Sequence, residues 1–408
     1  MTVGVGGSDA AEQLGSLSVR TADVQAISMG EYLGRIQRVQ EQMGAAGIDA
    51  LYLPGGSSLA YFTGTSWHPS ERMVAAVLPR EGQVEYVAPA FERETLLLHT
   101  VVEGSIHCWE EHESPFELLG RVLASVTGSL GVDHGCVGMD ESTPFFSFDG
   151  IRRANPKVEF VGAMQVTSAC RSRKSAAELA LLQRAKDMTL EVHRSVARIL
   201  RPGITTTEVT EYIEAAHRAL GASGSSFCIV LFGPDSAFPH GVKDPKALDE
   251  NDVVLIDTGC LLHGYNSDIT RTYVYGTPDD RQREVWDAEK AAQAAAFAAA
   301  EVGVPAGDVD RAARASLEAA GYGPGYALPG LPHRTGHGIG LDIHESPYLV
   351  ASDDTPLAPG MCFSNEPMIC VPGEFGVRLE DHFYVTEAGP RWFTTPSLSI
   401  DDPFGPRH

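Results

Sequence analysis

The chain has 408 residues, 43% of them hydrophobic, so it is long enough for two domains and for a sizeable core. Its 54 acidic residues against 31 basic ones give a net charge of −23, which argues against nucleic acids and anionic membranes as partners. The odd number of cysteines (seven) and the absence of a CxxC pair indicate reduced thiols in a cytoplasmic protein rather than a disulfide framework.

The first 27 residues are small and polar. They lack the basic and apolar segments of a signal peptide, and we predict a flexible tail over residues 1–27. No later run of about 18 apolar residues occurs, so no membrane span is expected.

Residues 28–168 alternate helical and strand patterns, which predicts a compact α/β domain. Apolar residues recur at helical spacing in GEYLGRIQRVQEQMGAAGI. Short apolar runs bounded by Gly or Pro predict strands in DALYLP, MVAAVLP and VEYVAP. The segments AFERETLLLHTV and SPFELLGRVLASV predict helices.

Residues 169–408 combine helices and hairpins, which predicts an α+β domain. Ser175–Glu178 and Thr205–Glu208 have the capping-box form and each begin a predicted helix. A third helix is expected after Pro278 and a fourth over residues 308–320. The predicted strands are SSFCIVLF, DVVLIDTG, SDITRTYVY, MCFSNEPMIC and GVRLEDHFYVT.

Two aspartates occupy a predicted hairpin. Asp257 ends the apolar run VVLI, and Asp268 starts the next strand after a Gly-containing turn. Antiparallel pairing would bring both carboxylates together, where they repel unless a cation lies between them. The alternative is a solvated hairpin with two unrelated aspartates.

Three histidines follow within a glycine-rich loop, His333, His337 and His344. The glycines argue against a helical zinc motif and allow the backbone to approach a ligand closely. Each histidine taken alone could equally be an ordinary core or surface residue.

Two glutamates complete the set of candidate ligands. Glu366 interrupts an apolar strand, where a carboxylate is rarely buried without a partner. Glu380 lies in a strand-like run with Arg378 on the same face, and an ordinary ion pair is the alternative. Four carboxylates and one histidine suit two divalent ions, with manganese favoured by the oxygen ligands and cobalt, iron or zinc left open by the imidazole.

The chain resembles the pita-bread metallopeptidases, a family that includes prolidase, aminopeptidase P and methionine aminopeptidase. Residues 172–395 carry the resemblance through the two aspartates, the GHGIG loop, the NEP glutamate and the RLED glutamate. Residues 57–74 are similar to the start of the N-terminal domain of creatinase and prolidase, which methionine aminopeptidases lack.

The resemblance implies a role for each matching residue. Asp257 would chelate one metal, Asp268 and Glu380 would bridge both, and His337 and Glu366 would complete the other. Glu366 would pass on the proton of a water activated by the two metals. The matches to substrate-contacting residues are His240, His344, near the scissile carbonyl, and Arg378, which touches substrate or orients Glu380, while His333 matches a position behind the ligands.

The activity implied is that of an Xaa-Pro dipeptidase, acting before a C-terminal proline in a cytoplasmic homodimer. The alternatives are an Xaa-Pro aminopeptidase acting on longer peptides, a non-peptide amide hydrolase such as ectoine hydrolase, and a catalytically inactive binding module. Creatinase works without metal, whereas this chain keeps all five ligands. Prolidases commonly carry an arginine where this chain has Tyr348, so another cation, such as Arg72 or one from a partner subunit's N-terminal domain, would have to bind the substrate carboxylate.

Overall fold

The structure is a computed structural model that describes residues 2–131 and 135–405. Within them the helices are α1 (Ala10–Ser16), α2 (Met29–Ala46), α3 (Ser57–Thr63), α4 (Arg93–His99), α5 (Pro115–Ser129), α6 (Phe145–Ala154), α7 (Met164–Arg171), α8 (Ala176–Ile199), α9 (Thr206–Ala219), α10 (Asp280–Ala299) and α11 (Ala306–Ala319). The strands are β1 (Ala50–Pro54), β2 (Ala75–Pro79), β3 (Glu85–Pro89), β4 (Ser105–Trp109), β5 (Cys136–Met139), β6 (Glu159–Gly162), β7 (Ser225–Phe232), β8 (Val253–Leu262), β9 (Tyr265–Asn266), β10 (Ile269–Val274), β11 (Gly336–Gly338), β12 (Glu345–Leu349), β13 (Cys362–Asn365), β14 (Met368–Val371), β15 (Phe375–Arg378), β16 (Asp381–Thr386) and β17 (Gly389–Trp392). None of these helices is both long enough and apolar enough to cross a membrane.

Contacts divide the chain into two units. One is Ile27–Arg171, and the other combines residues 2–26 with residues 172–405. The sequence prediction had placed the boundary between residues 168 and 169, and had not joined the first residues to the second domain.

The unit Ile27–Arg171 is α/β. Its six strands lie in the order β4-β3-β2-β1-β5-β6, with β1–β2 and β2–β3 antiparallel and the other pairs parallel. The core forms because the central strands β1 and β2 are apolar and buried on both faces, and α5 buries one apolar stripe, including Leu119 and Leu123, against the sheet.

The second unit is α+β and its sheets are antiparallel. One sheet has the order β10-β8-β7, a second has the order β12-β11-β13-β16-β17, and β14 pairs with β15. Both predicted capping boxes form: Ser175 and Glu178 cap α8, and Thr205 and Glu208 cap α9. The predicted combination of an α+β domain with a smaller α/β domain is confirmed.

The flexible tail expected over residues 1–27 differs from the structure. Residues 10–16 form α1, which is N-capped by Asp9 and contacts α8 and α9. Thr2 Oγ1 donates to the carbonyl of Val274 at 2.8 Å, and the Gly6 N–H donates to the carbonyl of Ala197 at 2.8 Å. Hydrogen bonds to backbone carbonyls anchor this segment. Such bonds can form without apolar residues in the segment, so its sequence does not reveal them.

Two predicted strands are each divided in two. The run 361–370 forms β13 and β14, with Glu366 and Pro367 between them. The run 376–386 is split between β15 and β16, with Glu380 in the gap. Both glutamates thus lie where their strands end, next to the β8–β10 hairpin and the glycine-rich loop.

Candidate metal centre

Two carboxylates lie next to each other on the β8–β10 hairpin. Asp257 is on β8, and Asp268 directly precedes β10, whose Thr270 pairs with Asp257. Side chains alternate along a strand, so Asp268 and Thr270 face the same side as Asp257. Asp257 is 7% exposed and Asp268 is 4% exposed. The expected placement of the two aspartates is therefore confirmed.

His337 presents one ring nitrogen to these acids. Its Nδ1 lies 3.0 Å from the Gly338 carbonyl oxygen, which can only accept, so Nδ1 carries a proton and Nε2 is left to face the acids. That Nε2 lies 3.1 Å from Glu366 Oε1 and 3.7 Å from Asp268 Oδ2. At these distances either a proton on Nε2 or a metal cation lies between the ring and the carboxylates.

Long-range backbone bonds place the two glutamates. The N–H of Glu366 donates to the Thr335 carbonyl, and the N–H of Glu380 donates to the Thr270 carbonyl. Potential ligand atoms of His337, Glu366 and Glu380 lie within 4.8 Å of one another. The same holds for potential ligand atoms of Asp268, Glu380 and His382, and for those of Asp268, His337 and His344.

The carboxyl pKa values show how strongly the charges conflict. Burial, followed by the charges of Glu380, Asp257 and Glu366, raises the pKa of Asp268 well above its usual range. Burial and the charges of Glu366 and Asp257 do the same to the pKa of Glu380. Burial would also raise the pKa of Glu366, but the hydrogen bond and charge of His337 outweigh it and bring that pKa to about 2. A divalent cation would relieve this repulsion and let every carboxyl ionise.

Unpartnered oxygens also fit a metal. Among the described residues, Asp257 Oδ1 and Asp268 Oδ1 are buried and have no hydrogen-bond partner. The other oxygen of Asp257 accepts from Arg378 at 2.5 Å, and Arg378 Nε also donates to Thr270 Oγ1 at 3.1 Å. A buried carboxylate oxygen without a partner is unfavourable, and a cation would supply one. The donor set therefore fits divalent metal.

The predicted ligands are not all equally clustered. Asp268, His337, Glu366 and Glu380 belong to the groups within 4.8 Å, whereas Asp257 lies outside those groups. Arg378 holds Asp257 on one side, so Asp257 offers a single free oxygen.

The predicted substrate residues surround the same cluster. The ring of His344 lies 4.1 Å from that of His337, and desolvation followed by the charges of His337 and Arg334 lowers the pKa of His344 to about 4. Tyr348 lies opposite His337 in the β11–β12 pair. His240 is exposed and lines a cavity of about 330 Å³ that also borders β7 and the start of α9. The sequence did not indicate that cavity.

His382 is a site residue that the sequence analysis missed. It is fully buried, and its Nε2 lies 3.2 Å from Glu380 Oε1. On the other oxygen of Glu380, Thr270 Oγ1 donates at 2.8 Å. His382 follows Glu380 by two residues, the spacing at which side chains of an extended chain lie on the same side, and that spacing is the signal that the sequence offers.

Close backbone approach explains the glycines of the loop. A Cβ on Gly336 would lie 2.2 Å from the Ser364 carbonyl oxygen, and one on Gly338 would lie 2.4 Å from the Glu345 carbonyl oxygen. Only glycine lets β11 approach its two neighbouring strands this closely. The neighbours of these two glycines are carbonyls of the protein itself, and the predicted close approach to a ligand stays a prediction.

Comparison with known proteins bears on both units. Residues 180–387 match the sequence profile of metallopeptidase family M24, and residues 35–173 match that of the creatinase/prolidase N-terminal domain. A protein named Xaa-Pro dipeptidase from Lactobacillus helveticus is 31% identical over 365 residues, covering 88% of this chain and 96% of that protein. A protein named probable dipeptidase PepE from Mycobacterium tuberculosis H37Rv is 35% identical over 361 residues, covering 88% of this chain and 93% of that protein.

A solved structure extends the likeness to three dimensions. The crystal structure of dipeptidase PepE from Mycobacterium ulcerans matches with a TM-score of 0.82 and 34% sequence identity. The match covers 91% of this chain and 97% of that one, so it includes both units.

Proposed function

Since the chain belongs to metallopeptidase family M24 and carries a creatinase/prolidase-type N-terminal domain, we propose that it is an Xaa-Pro dipeptidase. It would hydrolyse the peptide bond before a C-terminal proline. The observation that carries the proposal is the approach of His337 Nε2 to within 3.1 Å of Glu366 Oε1 among buried carboxylates. The name of the Lactobacillus helveticus relative supports the choice of substrate.

Two divalent ions would be held by five residues, Asp257, Asp268, His337, Glu366 and Glu380. We propose manganese because four of the five ligands supply oxygen. When bound, the ions would lower the pKa of a water molecule and polarise the scissile carbonyl. A homodimer in the cytoplasm is part of the same proposal.

The remaining chemistry belongs to side chains of this chain. Glu366 would accept the proton of the attacking water and deliver it to the leaving nitrogen of proline. His344 is neutral at physiological pH, so its ring N–H would donate to the carbonyl oxygen as charge develops there. His240 would contact the substrate, and Arg378 would hold Asp257 and contact the substrate through its remaining donors.

Proline gives the enzyme a distinct task. The residue has no backbone N–H and a fixed φ, so general proteases that rely on that N–H bind poorly at this bond. Its nitrogen is a tertiary amide before cleavage and requires protonation to leave. A site that places the Glu366 carboxylate beside that nitrogen would meet this requirement.

Hydrolysis assays test the proposal. Protein loaded with Mn²⁺ is offered an Xaa-Pro dipeptide, the corresponding tripeptide and ectoine, with and without EDTA. We expect dipeptide cleavage that EDTA abolishes. The Glu366→Gln substitution should lower kcat/KM by about 10²–10⁴-fold, since it removes the proton acceptor. Glu387→Gln, on an exposed turn, is the matched control and should retain full activity.

Other outcomes point elsewhere. Cleavage of the tripeptide alone would favour an Xaa-Pro aminopeptidase, and cleavage of ectoine alone would favour a non-peptide amide hydrolase. Full activity in EDTA would contradict the metal centre.

A further inference from the structure

An arginine beside the candidate metal centre is not neutralised by an acid. Arg378 binds Asp257, and Arg271 binds Asp381. Arg334 is half-buried, yet among the described residues no carboxylate lies within ion-pair distance of it. A half-buried cation without a counter-ion is able to bind an anion.

An aromatic ring holds the guanidinium of Arg334 in place. Its Cζ lies 4.5 Å from the centroid of the Tyr348 ring. Tyr348 is the residue of β12 that pairs with His337 of β11. The Arg334 guanidinium therefore stacks on the direct strand neighbour of a candidate metal ligand. Stacking uses the face of the guanidinium and leaves its edge donors free for a planar anion.

The backbone on both sides of Arg334 is fixed. The Nδ1 of His333 bonds the carbonyl of Arg334 at 2.7 Å. The N–H and Oγ1 of Thr335 both donate to Asp310 Oδ1, at 3.1 and 2.7 Å. The cation is therefore held in advance of binding, which reduces the entropy lost when an anion binds. The contribution of Arg334 to the lowered pKa of His344 is consistent with this proximity.

We propose that Arg334, supported by the ring of Tyr348, binds the C-terminal carboxylate of a dipeptide substrate. This inference rests on the proposed peptidase function. The guanidinium fork matches a carboxylate through two parallel hydrogen bonds. A longer peptide would place a neutral amide there, so Arg334 favours substrates that end one residue after the scissile bond.

Arg72, the alternative cation considered from the sequence, is already engaged. It bonds Glu71 at 2.7 Å and Glu111 at 3.1 Å, and both of these carboxylates belong to its own unit. Its charge is therefore compensated without substrate.

The experiment compares free carboxylates with carboxamides. Purified, metal-loaded protein is assayed on Ala-Pro and Ala-Leu and on their C-terminal amides. Arg334→Met should raise KM for the free dipeptides by about 10- to 100-fold, the effect of losing a charge-assisted hydrogen bond. For the amides KM should change by less than about 3-fold, and kcat should change little throughout. Arg391→Met, at an exposed arginine on β17, is the matched control.

Tyr348 provides a second, independent set of variants. Tyr348→Leu, which removes the ring, should raise KM for the free dipeptides by about 3- to 10-fold, and Tyr348→Phe, which keeps the ring, should raise it less. Inhibition by free proline should weaken in parallel in Arg334→Met, while inhibition by prolinamide should not.

Failure of this inference and failure of the proposed function are separable. Cleavage of Ala-Leu but not Ala-Pro would refute the Xaa-Pro preference, and the Ala-Leu pair would still test Arg334. An unsubstituted protein that treats acids and amides alike, or an Arg334→Met variant that loses both equally, would overturn the role of Arg334. Absence of hydrolysis of every dipeptide would overturn both.

Discussion

At the scale of single residues, His337 determines how the acids around it can be used. Its Nδ1 donates to the Gly338 carbonyl, so its Nε2 faces Glu366 and Asp268. Orienting a histidine through its second nitrogen is how proteins prepare an imidazole for a metal. Without metal, protons must take the place of the cation, and that has a consequence for stability.

Asp268 should destabilise the metal-free protein as pH rises. Its pKa is raised above the value of about 3.9 that it has in the unfolded chain, so the folded state keeps a proton that the unfolded state loses. This contribution is neutral below about pH 4 and becomes increasingly unfavourable above it. We therefore expect Asp268→Asn in EDTA to melt higher than the unsubstituted protein at pH 8, with the difference shrinking towards pH 4.

Thermal unfolding across this pH range measures the effect. In Mn²⁺ the order should reverse, because the variant loses a ligand while the unsubstituted protein gains about 2.7 kcal/mol at a metal concentration of 100 times Kd. Asp354→Asn, at an exposed aspartate, should follow the unsubstituted protein in both conditions. An Asp268→Asn variant that is no more stable in EDTA at any pH would contradict the argument.

Several site residues could be predicted from local sequence and others could not. Asp257 and Glu366 stand out because a carboxylate inside an apolar run needs a partner. Arg334 carries no such signal, and His382 is indicated only by its spacing of two residues from Glu380. Their importance depends on contacts with Glu380 and Tyr348, which are set by strand pairing and side-chain packing.

At the scale of elements, the β8–β10 hairpin depends on one close approach. A Cβ on Gly259 would lie 1.8 Å from the carbonyl oxygen of Ser267, the residue before Asp268. We expect Gly259→Ala to push the two strands apart, lower stability by about 1–3 kcal/mol and weaken metal binding by more than about 10-fold. Urea unfolding and titration with Mn²⁺ measure the two effects.

The control is the same substitution where space is free. A Cβ on Gly15, in α1, meets no atom within 4 Å. Gly15→Ala should leave metal binding unchanged and keep or raise stability, because alanine favours the helix. Normal metal affinity in Gly259→Ala would show that this approach does not position Asp268.

The ends of strands in the second unit show why a local apolar pattern is not enough to predict where a strand stops. The apolar pattern continues through Glu366 and Glu380, so each run was predicted as a single strand. The breaks arise because the N–H groups of the two glutamates bond the carbonyls of Thr335 and Thr270, which are distant in sequence. Helix starts were predicted well because a capping box involves residues only three apart.

At the scale of the whole molecule, composition predicted two domains but not the path of the chain between them. The first residues join the second unit through backbone bonds such as that of Gly6 to Ala197. Bonds of this kind leave no trace in residue type, so a small, polar sequence predicts a tail even where the segment is anchored.

The division into two units predicts which part of the chain a bound metal stabilises. All five proposed ligands lie in the unit containing residues 172–405, and a ligand stabilises only the structure that must form to bind it. We expect removal of Mn²⁺ by EDTA to speed amide hydrogen exchange in β8, β10, β13 and β16. Exchange in β1, β2 and β5 should be unaffected. Mass spectrometry of exchanged peptides resolves these strands.

A core substitution in the other unit gives the reciprocal test. Leu119 is fully buried against the sheet of the unit Ile27–Arg171, and Leu119→Ala should cost that unit about 2–5 kcal/mol. Exchange should then rise in β1 and β2, while the protection that Mn²⁺ gives to β8 stays the same. If EDTA instead raised exchange equally in both sets of strands, the two units would unfold as one. The metal centre would then stabilise the whole chain rather than the unit that supplies its ligands.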